Sequence, residues 1–329
     1  AGKFLTRYLG RTQIRRDQVF LTNLSKRRPH RNKFYNLIGT DALKDGLKEL
    51  SDEIERVDPN IIVALGNWPM YYLTGCTNNK NKPGTGIGLW RGSVMPGDGV
   101  HVRAAEGRKV LITYHPAYIV RPSGFSDHPI FYNDIKRIPF EAERKSFNYP
   151  EYEKYVDPPN LQEIAKDMSK SEWLTVDIET FGSTLACVGV TDSIKRALCV
   201  TYECPFGWDI VKGMLANEQR KNLQFAAFDN NYVLWYYGWE VNGYVPTEDH
   251  PGGWDTYIGA ANLEPELRRG LGFQNSLYTN IPYYKEDKKK HKQTGDMSTL
   301  WEYNMKDVVA QHWIAMEQIK EMEELYGTA

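Results

Sequence analysis

One run of residues restricts this chain more than any other: Trp173-Leu174-Thr175-Val176-Asp177-Ile178-Glu179-Thr180. Its β-branched and aromatic residues predict a strand, and side chains two apart on a strand point to the same face. Asp177 and Glu179 therefore converge on one spot, flanked by core-facing Val176 and Ile178. Two unpaired carboxylates on an apolar strand lose hydration and repel each other unless a cation neutralises them. The run calls for a sheet and for a bound metal together.

Two further acids extend the set. Asp229 lies in Phe228-Asp229-Asn230-Asn231-Tyr232-Val233-Leu234, where Phe228, Tyr232 and Leu234 are expected to anchor a helix whose first turn carries the acid. Asp307 ends Tyr303-Asn304-Met305-Lys306-Asp307 on a long helix expected over 298–325, and the four-residue spacing puts Tyr303 and Asp307 on one face. Four carboxylates with a phenol suit two hard cations, Mg²⁺ or Mn²⁺. Such a pair lowers the pKa of an attacking water and stabilises charge at phosphorus during in-line displacement. The candidate catalytic set is thus Asp177, Glu179, Asp229, Tyr303 and Asp307, with the four acids as metal ligands and Tyr303 orienting the water.

The chain of 329 residues has room for two domains, and 41% apolar with 25% charged residues is ordinary for a globular protein. The formal net charge of −1 conceals a basic N-terminal segment: residues 1–40 hold ten Lys and Arg against Asp17 alone. That excess suits a phosphate-rich partner, and Lys26, Arg27, Arg28 and Arg31 are the candidate DNA contacts. Lys288-Lys289-Lys290, in a charged loop over 285–293, is a weaker candidate of the same kind, more in keeping with a solvated loop. The cysteines Cys76, Cys187, Cys199 and Cys204 form no C-x-x-C pair, so no zinc site or iron–sulfur cluster is expected, only reduced buried thiols. No run is long enough to cross a bilayer and no signal peptide is visible, which predicts a cytoplasmic protein without a membrane partner. The start at Ala-Gly-Lys, without Met, reads as a processed or excised chain.

Periodicity predicts an α/β fold in two domains. In the first, over 1–143, strands are expected at 19–22, 61–65 and 110–114, with a helix over Asp41–Val57 carrying Leu43, Leu47, Leu50, Ile54 and Val57 on its apolar face. Continuous apolar runs alternating with helices indicate a parallel sheet covered on both faces. Ligands gather beyond the carboxyl ends of such strands, where Asn23, Gly66 and His115 fall. Gly84, Gly86, Gly88 and Gly92 follow no strand and read as a loop. Pro150, Pro158 and Pro159 mark 144–160 as a linker. The second domain, 161–329, begins with a helix at 161–169, followed by strands at 173–178 and around 197–202 and a helix at 230–237.

These segments resemble the proofreading exonuclease domains of the DnaQ-like superfamily, within the ribonuclease H-like fold, especially those of family A DNA polymerases. The resemblance rests on Val176-Asp177-Ile178-Glu179-Thr180, Phe228-Asp229 and Tyr303 through Asp307. Trp254-Asp255-Thr256, Leu263-Glu264-Pro265-Glu266-Leu267 and Ser276-Leu277-Tyr278-Thr279 support it. One departure is Phe225, at a position where such domains often have Asn. The first half resembles the uracil-DNA glycosylase superfamily, closest to its family 4 and 5 branches, through Phe20-Leu21-Thr22-Asn23-Leu24-Ser25-Lys26-Arg27-Arg28-Pro29, Thr113-Tyr114-His115-Pro116-Ala117-Tyr118 and 61–66. That likeness implies a three-layer domain in which Asn23 contacts a flipped base and His115 stabilises the departing uracil anion. The family's Gly-rich, acid-containing first motif is missing, and Arg27 stands where a cluster-binding Cys is common.

The two resemblances in this order match the N-terminal part of certain bacteriophage family A DNA polymerases. They imply a 3′→5′ DNA exonuclease of the proofreading type, acting on single-stranded 3′ ends and primer-templates beside a polymerase domain or other replisome subunits. As a fragment or a separately encoded subunit, the chain would lack the polymerase itself. The rival readings are a non-catalytic DNA-binding or scaffold module, an RNA exonuclease, and an active uracil-DNA glycosylase in the first domain.

Overall fold

Two separate sheets organise the chain. The computed structural model describes residues 2–287, 291 and 294–327 (231, 234 and 235 by backbone alone), and the chain divides into units Ala1–Tyr149 and Pro150–Ala329.

The first unit opens with α1 (Gly2–Arg11), and α2 (Asp41–Val57) follows after an irregular stretch. Asp41 in the first turn of α2 favours the positive helix end, Leu43, Leu50 and Ile54 are buried, and Asp58 in the left-handed region (φ 44°) ends the helix. Strand β1 (Ile62–Leu65) leads through Gly66, whose φ of +100° bars most side chains, into α3 (Asn67–Thr74). Next come the one-turn α4 (Ile87–Trp90), β2 (Val94–Pro96) and β3 (Lys109–Thr113). Short helices α5 (Pro116–Ile119), α6 (His128–Lys136) and α7 (Ile138–Ala142) close the unit. The sheet order is β1-β3-β2, parallel between β1 and β3 (Ile62 opposite Val110) and antiparallel between β2 and β3. All five residues of β3 are buried. Leu50 and Ile54 of α2 and Met70 and Leu73 of α3 share a core with Val110 and Ile112, while α1 packs on α5 and α6.

Several expectations for this unit are corrected. The sheet is mixed, because β2 adds an antiparallel strand that its three residues gave no means to detect. Residues 19–22 form no strand; Phe20 is 50% and Leu21 43% exposed. Strand composition without a neighbouring strand to pair with leaves the segment extended but unpaired. The glycine-rich loop does open a helix, α4, with Gly86 (φ +107°) immediately before it.

The second unit is built on six strands: β4 (Glu153–Val156), β5 (Trp173–Phe181), β6 (Thr184–Thr191), β7 (Arg196–Thr201), β8 (Arg220–Leu223) and β9 (Trp254–Asp255). Their order is β4-β7-β6-β5-β8-β9; β6 runs antiparallel to both β7 and β5, β4 is parallel to β7, and β8 and β9 continue parallel to β5. Between them lie α8 (Leu161–Met168), α9 (Pro205–Ala216) and α10 (Ala226–Tyr237), followed by α11 (Thr256–Leu263), α12 (Leu271–Tyr278) and the terminal α13 (Met297–Tyr326). Leu174, Val176 and Ile178 share one core with Leu161, Val211 and Val233 from α8, α9 and α10. Cys187 and Cys199 share another with Val308, Val309 and Ala310 of α13. The strand period thus turns the even-numbered residues of β5 to the first layer and leaves Thr175, Asp177 and Glu179 for the side of α13.

Residues 144–160, read as a linker, are divided: 144–149 belong to the first unit, and β4 pairs in parallel with β7 as an edge strand. Phe228, expected as a core anchor, is 50% exposed, whereas Tyr232 is buried; the side chain of Leu234 lies outside the described residues. The lysine run 288–290 is also outside them. Among the described residues no helix is long and apolar enough to cross a membrane.

Candidate metal centre

On the α13 side of β5, carboxylate oxygens of Asp177, Glu179 and Asp307 all lie within 4.8 Å of one another. Glu179 is 6% and Asp307 4% exposed. Asp229, on the first turn of α10, is not within that distance of all three, but its charge acts on Asp177 and feels Glu179 and Asp255. The structure therefore gathers three predicted ligands within 4.8 Å and leaves Asp229 outside that group. Burial, followed by the charges of Asp307, Asp229 and Glu179, pushes the Asp177 carboxyl well above its usual range. Burial and the charges of Asp255 and Glu179 do the same to Asp229. Each shift expresses the unfavourable free energy of gathering like charges away from water.

Four neighbours of this cluster went unread in the sequence. Lys285 donates from Nζ to both Asp307 oxygens, at 2.6 and 2.8 Å, and to the Tyr303 hydroxyl at 2.9 Å. Tyr284 donates its hydroxyl to Asp307 Oδ1 at 2.6 Å. Asn304 donates Nδ2 to Asp177 Oδ2 at 2.8 Å, fixing that carboxylate. Gly189 on β6 makes room for it, since a Cβ there would stand 2.3 Å from Asn304 Oδ1. Lys285 sat in a segment that reads as a solvated charged loop, and Asn304 in a helical run where a lone amide carries no signal. An apolar strand interrupted by Gly189 was the one usable hint of a close approach.

Tyr303 is buried at 5% exposure, and desolvation with Asp307, Glu179 and Asp177 around it holds its hydroxyl protonated far above the ordinary tyrosine range. It can donate to an oxygen placed between it and the acids. The donor set is all oxygen, which matches Mg²⁺ or Mn²⁺. Lys285 sets its positive charge against Asp307, and like charges gathered away from water are the arrangement that a divalent cation stabilises. The residues fit such an ion.

Phe225 precedes α10 in the left-handed region, at φ +59°, which costs a bulky residue about 1–2 kcal/mol. Asp255 restrains it by accepting from the backbone N–H groups of Phe225 at 3.1 Å and Ala226 at 2.8 Å.

In the first unit, Asn23, Gly66 and His115 line one cavity of about 1510 Å³. His115 Nδ1 accepts from the Ala117 backbone at 3.0 Å, which assigns the ring proton of the neutral form to Nε2. Desolvation and Arg121 lower its pKa and favour that neutral form. A Cβ on Gly66 would lie 3.0 Å from His115 Cβ, so the glycine permits the close approach. Of the basic candidates, Lys26 is engaged by Glu53 at 2.7 Å and Arg28 donates to Asn32 at 2.7 Å. All four, Lys26, Arg27, Arg28 and Arg31, are exposed.

Residues 1–135 match the family model of the uracil DNA glycosylase superfamily, and this part of the chain is similar to its members. Curated relatives include the type-4 uracil-DNA glycosylase of Saccharolobus solfataricus, 34% identical over 120 residues, which are 36% of this chain and 50% of the relative. That of Archaeoglobus fulgidus is 29% identical over 143 residues, 42% of this chain and 63% of the relative. The chain thus spans between half and two thirds of the length of these relatives. The rest of the chain is similar in structure to Escherichia coli RNase D, an exoribonuclease, at 18% identity and a TM-score of 0.40, covering 53% of this chain and 45% of that one. Brucella melitensis NrnC with bound Mg²⁺ has 18% identity and a TM-score of 0.40, covering 55% of this chain and 85% of that one. The fold is the two-part α/β arrangement expected from the sequence, each part with its own sheet.

Proposed function

We propose that this chain is a metal-dependent 3′→5′ DNA exonuclease of the proofreading type that works beside a DNA polymerase. The observation that carries the reading is the mutual approach, within 4.8 Å, of carboxylates from Asp177, Glu179 and Asp307, which lie far apart in the sequence. Asp177, Glu179 and Asp307 hold the divalent metal, Mg²⁺ or Mn²⁺, and Asp229 completes a site for a pair. The metal supplies Lewis-acid activation of water and neutralises charge developing at phosphorus. Tyr303 keeps its proton and orients the attacking water through a hydrogen bond from its hydroxyl. Asn304 keeps Asp177 aimed at the site, and Lys285 balances charge around Asp307.

DNA as substrate follows from the glycosylase-like domain on the same chain together with the basic N-terminal segment, where Lys26, Arg27, Arg28 and Arg31 are all exposed. A polymerase domain or replisome subunit is the proposed partner, from the order of the two modules. A 5′-labelled single strand incubated with Mg²⁺ tests the activity. The wild type yields a ladder, and Asp177→Ala/Glu179→Ala lowers the rate by at least ~10³-fold, several kcal/mol of lost transition-state stabilisation. An unchanged substrate in the wild-type lane returns the chain to the class of scaffold modules, and a preference for a matched RNA strand reassigns the polymer.

For the first unit we propose a DNA-holding role. The competing reading, uracil excision, is favoured by the placement of Asn23 and His115 on one cavity. Release of uracil from a uracil-containing strand, lost in His115→Ala, decides for excision.

A further inference from the structure

Phe225 combines three properties that are rarely found together. Its φ is +59°, its ring is 51% exposed, and it stands four positions before Asp229. A bulky residue in the left-handed region persists only where its surroundings hold it there. Here the holder is Asp255, 8% exposed, which accepts from the backbone N–H groups of Phe225, Ala226, Tyr257 and Ile258. One carboxylate thus fixes the starts of both α10 and α11, and with them the two rings. Phe225 and Tyr257 have centroids 5.3 Å apart at 56°, and the Arg269 guanidinium lies 5.7 Å from the Tyr257 ring. Phe228 (50% exposed) and Ile258 (55% exposed) extend the apolar surface on the same two helices.

An exposed ring contributes little to the core, and Gly or Asn would hold this backbone more easily. Interior packing therefore leaves the aromatic side chain unexplained. We propose that Phe225, backed by Tyr257, is a positioning residue that stacks on the 3′-terminal nucleobase of a single strand and seats the scissile phosphate at the carboxylates, with Arg269 available to the backbone phosphates. Stacking accepts any base, because each has a π face, which suits an enzyme that must remove whichever nucleotide is last. The inference rests on the nuclease reading and names how that site grips its substrate.

The test uses the full chain and a single strand carrying 2-aminopurine as its 3′-terminal base, titrated in EDTA so that binding is read without hydrolysis. The wild type quenches the terminal fluorophore. Phe225→Gly, which relieves the backbone and keeps the melting temperature at or above that of the wild type, loses the quenching and binds about 10-fold more weakly. Phe225→Trp restores both. With Mn²⁺, Phe225→Gly raises KM far more than it lowers kcat, and a strand ending in an abasic nucleotide is cleaved alike by both proteins. Equal quenching and affinity in Phe225→Gly overturn the stacking role while wild-type cleavage leaves the nuclease reading standing. Absence of metal-dependent cleavage in the wild type sinks that reading instead. A loss in Phe225→Gly that is the same on the abasic strand also counts against stacking.

Discussion

In the first unit Arg91 meets Asp134 and Lys109 meets Glu141, each pair almost wholly enclosed. In the second, Asp177, Glu179 and Asp307 face one another, with Lys285 set against Asp307. The contrast separates two uses of buried charge. A cation and an anion that satisfy each other, with Thr113 donating to Asp134 at 2.7 Å, need nothing from outside and serve the fold. Carboxylates that face one another away from water raise each other's pKa, make the fold less stable and favour a ligand that neutralises them. The same element type, an acid beside a strand, is structural in one sheet and chemical in the other.

The hardest blow to this contrast comes from Asp134→Asn. It leaves the Arg91 guanidinium buried without its counter-ion and is expected to cost about 3–5 kcal/mol, read as accelerated hydrogen exchange in β3. A cost under about 1 kcal/mol would show that the pair is not structural. His312 offers the next test, since buried groups of the second unit that lack a charged partner are expected to stay neutral. Its Nδ1 lies 2.9 Å from Thr175 Oγ1, and burial lowers its pKa to about 4. The unfolded chain binds this proton near pH 6.5 and the folded one only near 4. The native state thus keeps its full stability above pH 6.5 and loses about 3 kcal/mol as pH falls through that window. In His312→Gln that part of the pH slope disappears from denaturant titrations; a slope identical to the wild type refutes the assignment. Mn²⁺ sharpens the comparison from the other side. At 100-fold over its Kd it stabilises the second unit by about 2.7 kcal/mol, visible as slower exchange in β5 and not in β3. Asp177→Asn removes that gain while raising metal-free stability by about 1 kcal/mol. Equal protection of both units would point to nonspecific binding.

What the sequence disclosed depended on whether a signal was local. The i, i+2 acids on β5 and the four-residue spacing of Tyr303 and Asp307 are fixed by strand and helix periods, so both were legible from spacing alone. Lys285 and Asn304 act only through tertiary approach, across intervals of 22 and 127 residues to Asp307 and Asp177, and no period records that. The buried β8 was hidden for a different reason. Lys221 and Asn222 read as surface residues, yet Lys221 is fully buried with its ammonium on the carbonyls of Asn217 and Gln219. Residues 19–22 show the converse failure, where composition favoured a strand that lacks a partner.

Gly189 gives strand β6 a veto over chemistry in which it takes no part. A single methyl group at that position would press on the amide that holds the neighbouring aspartate, and the aspartate would lose its aim with every acid still in place. A diverged copy of this protein could therefore fall silent while an inventory of its acidic residues still reads as intact.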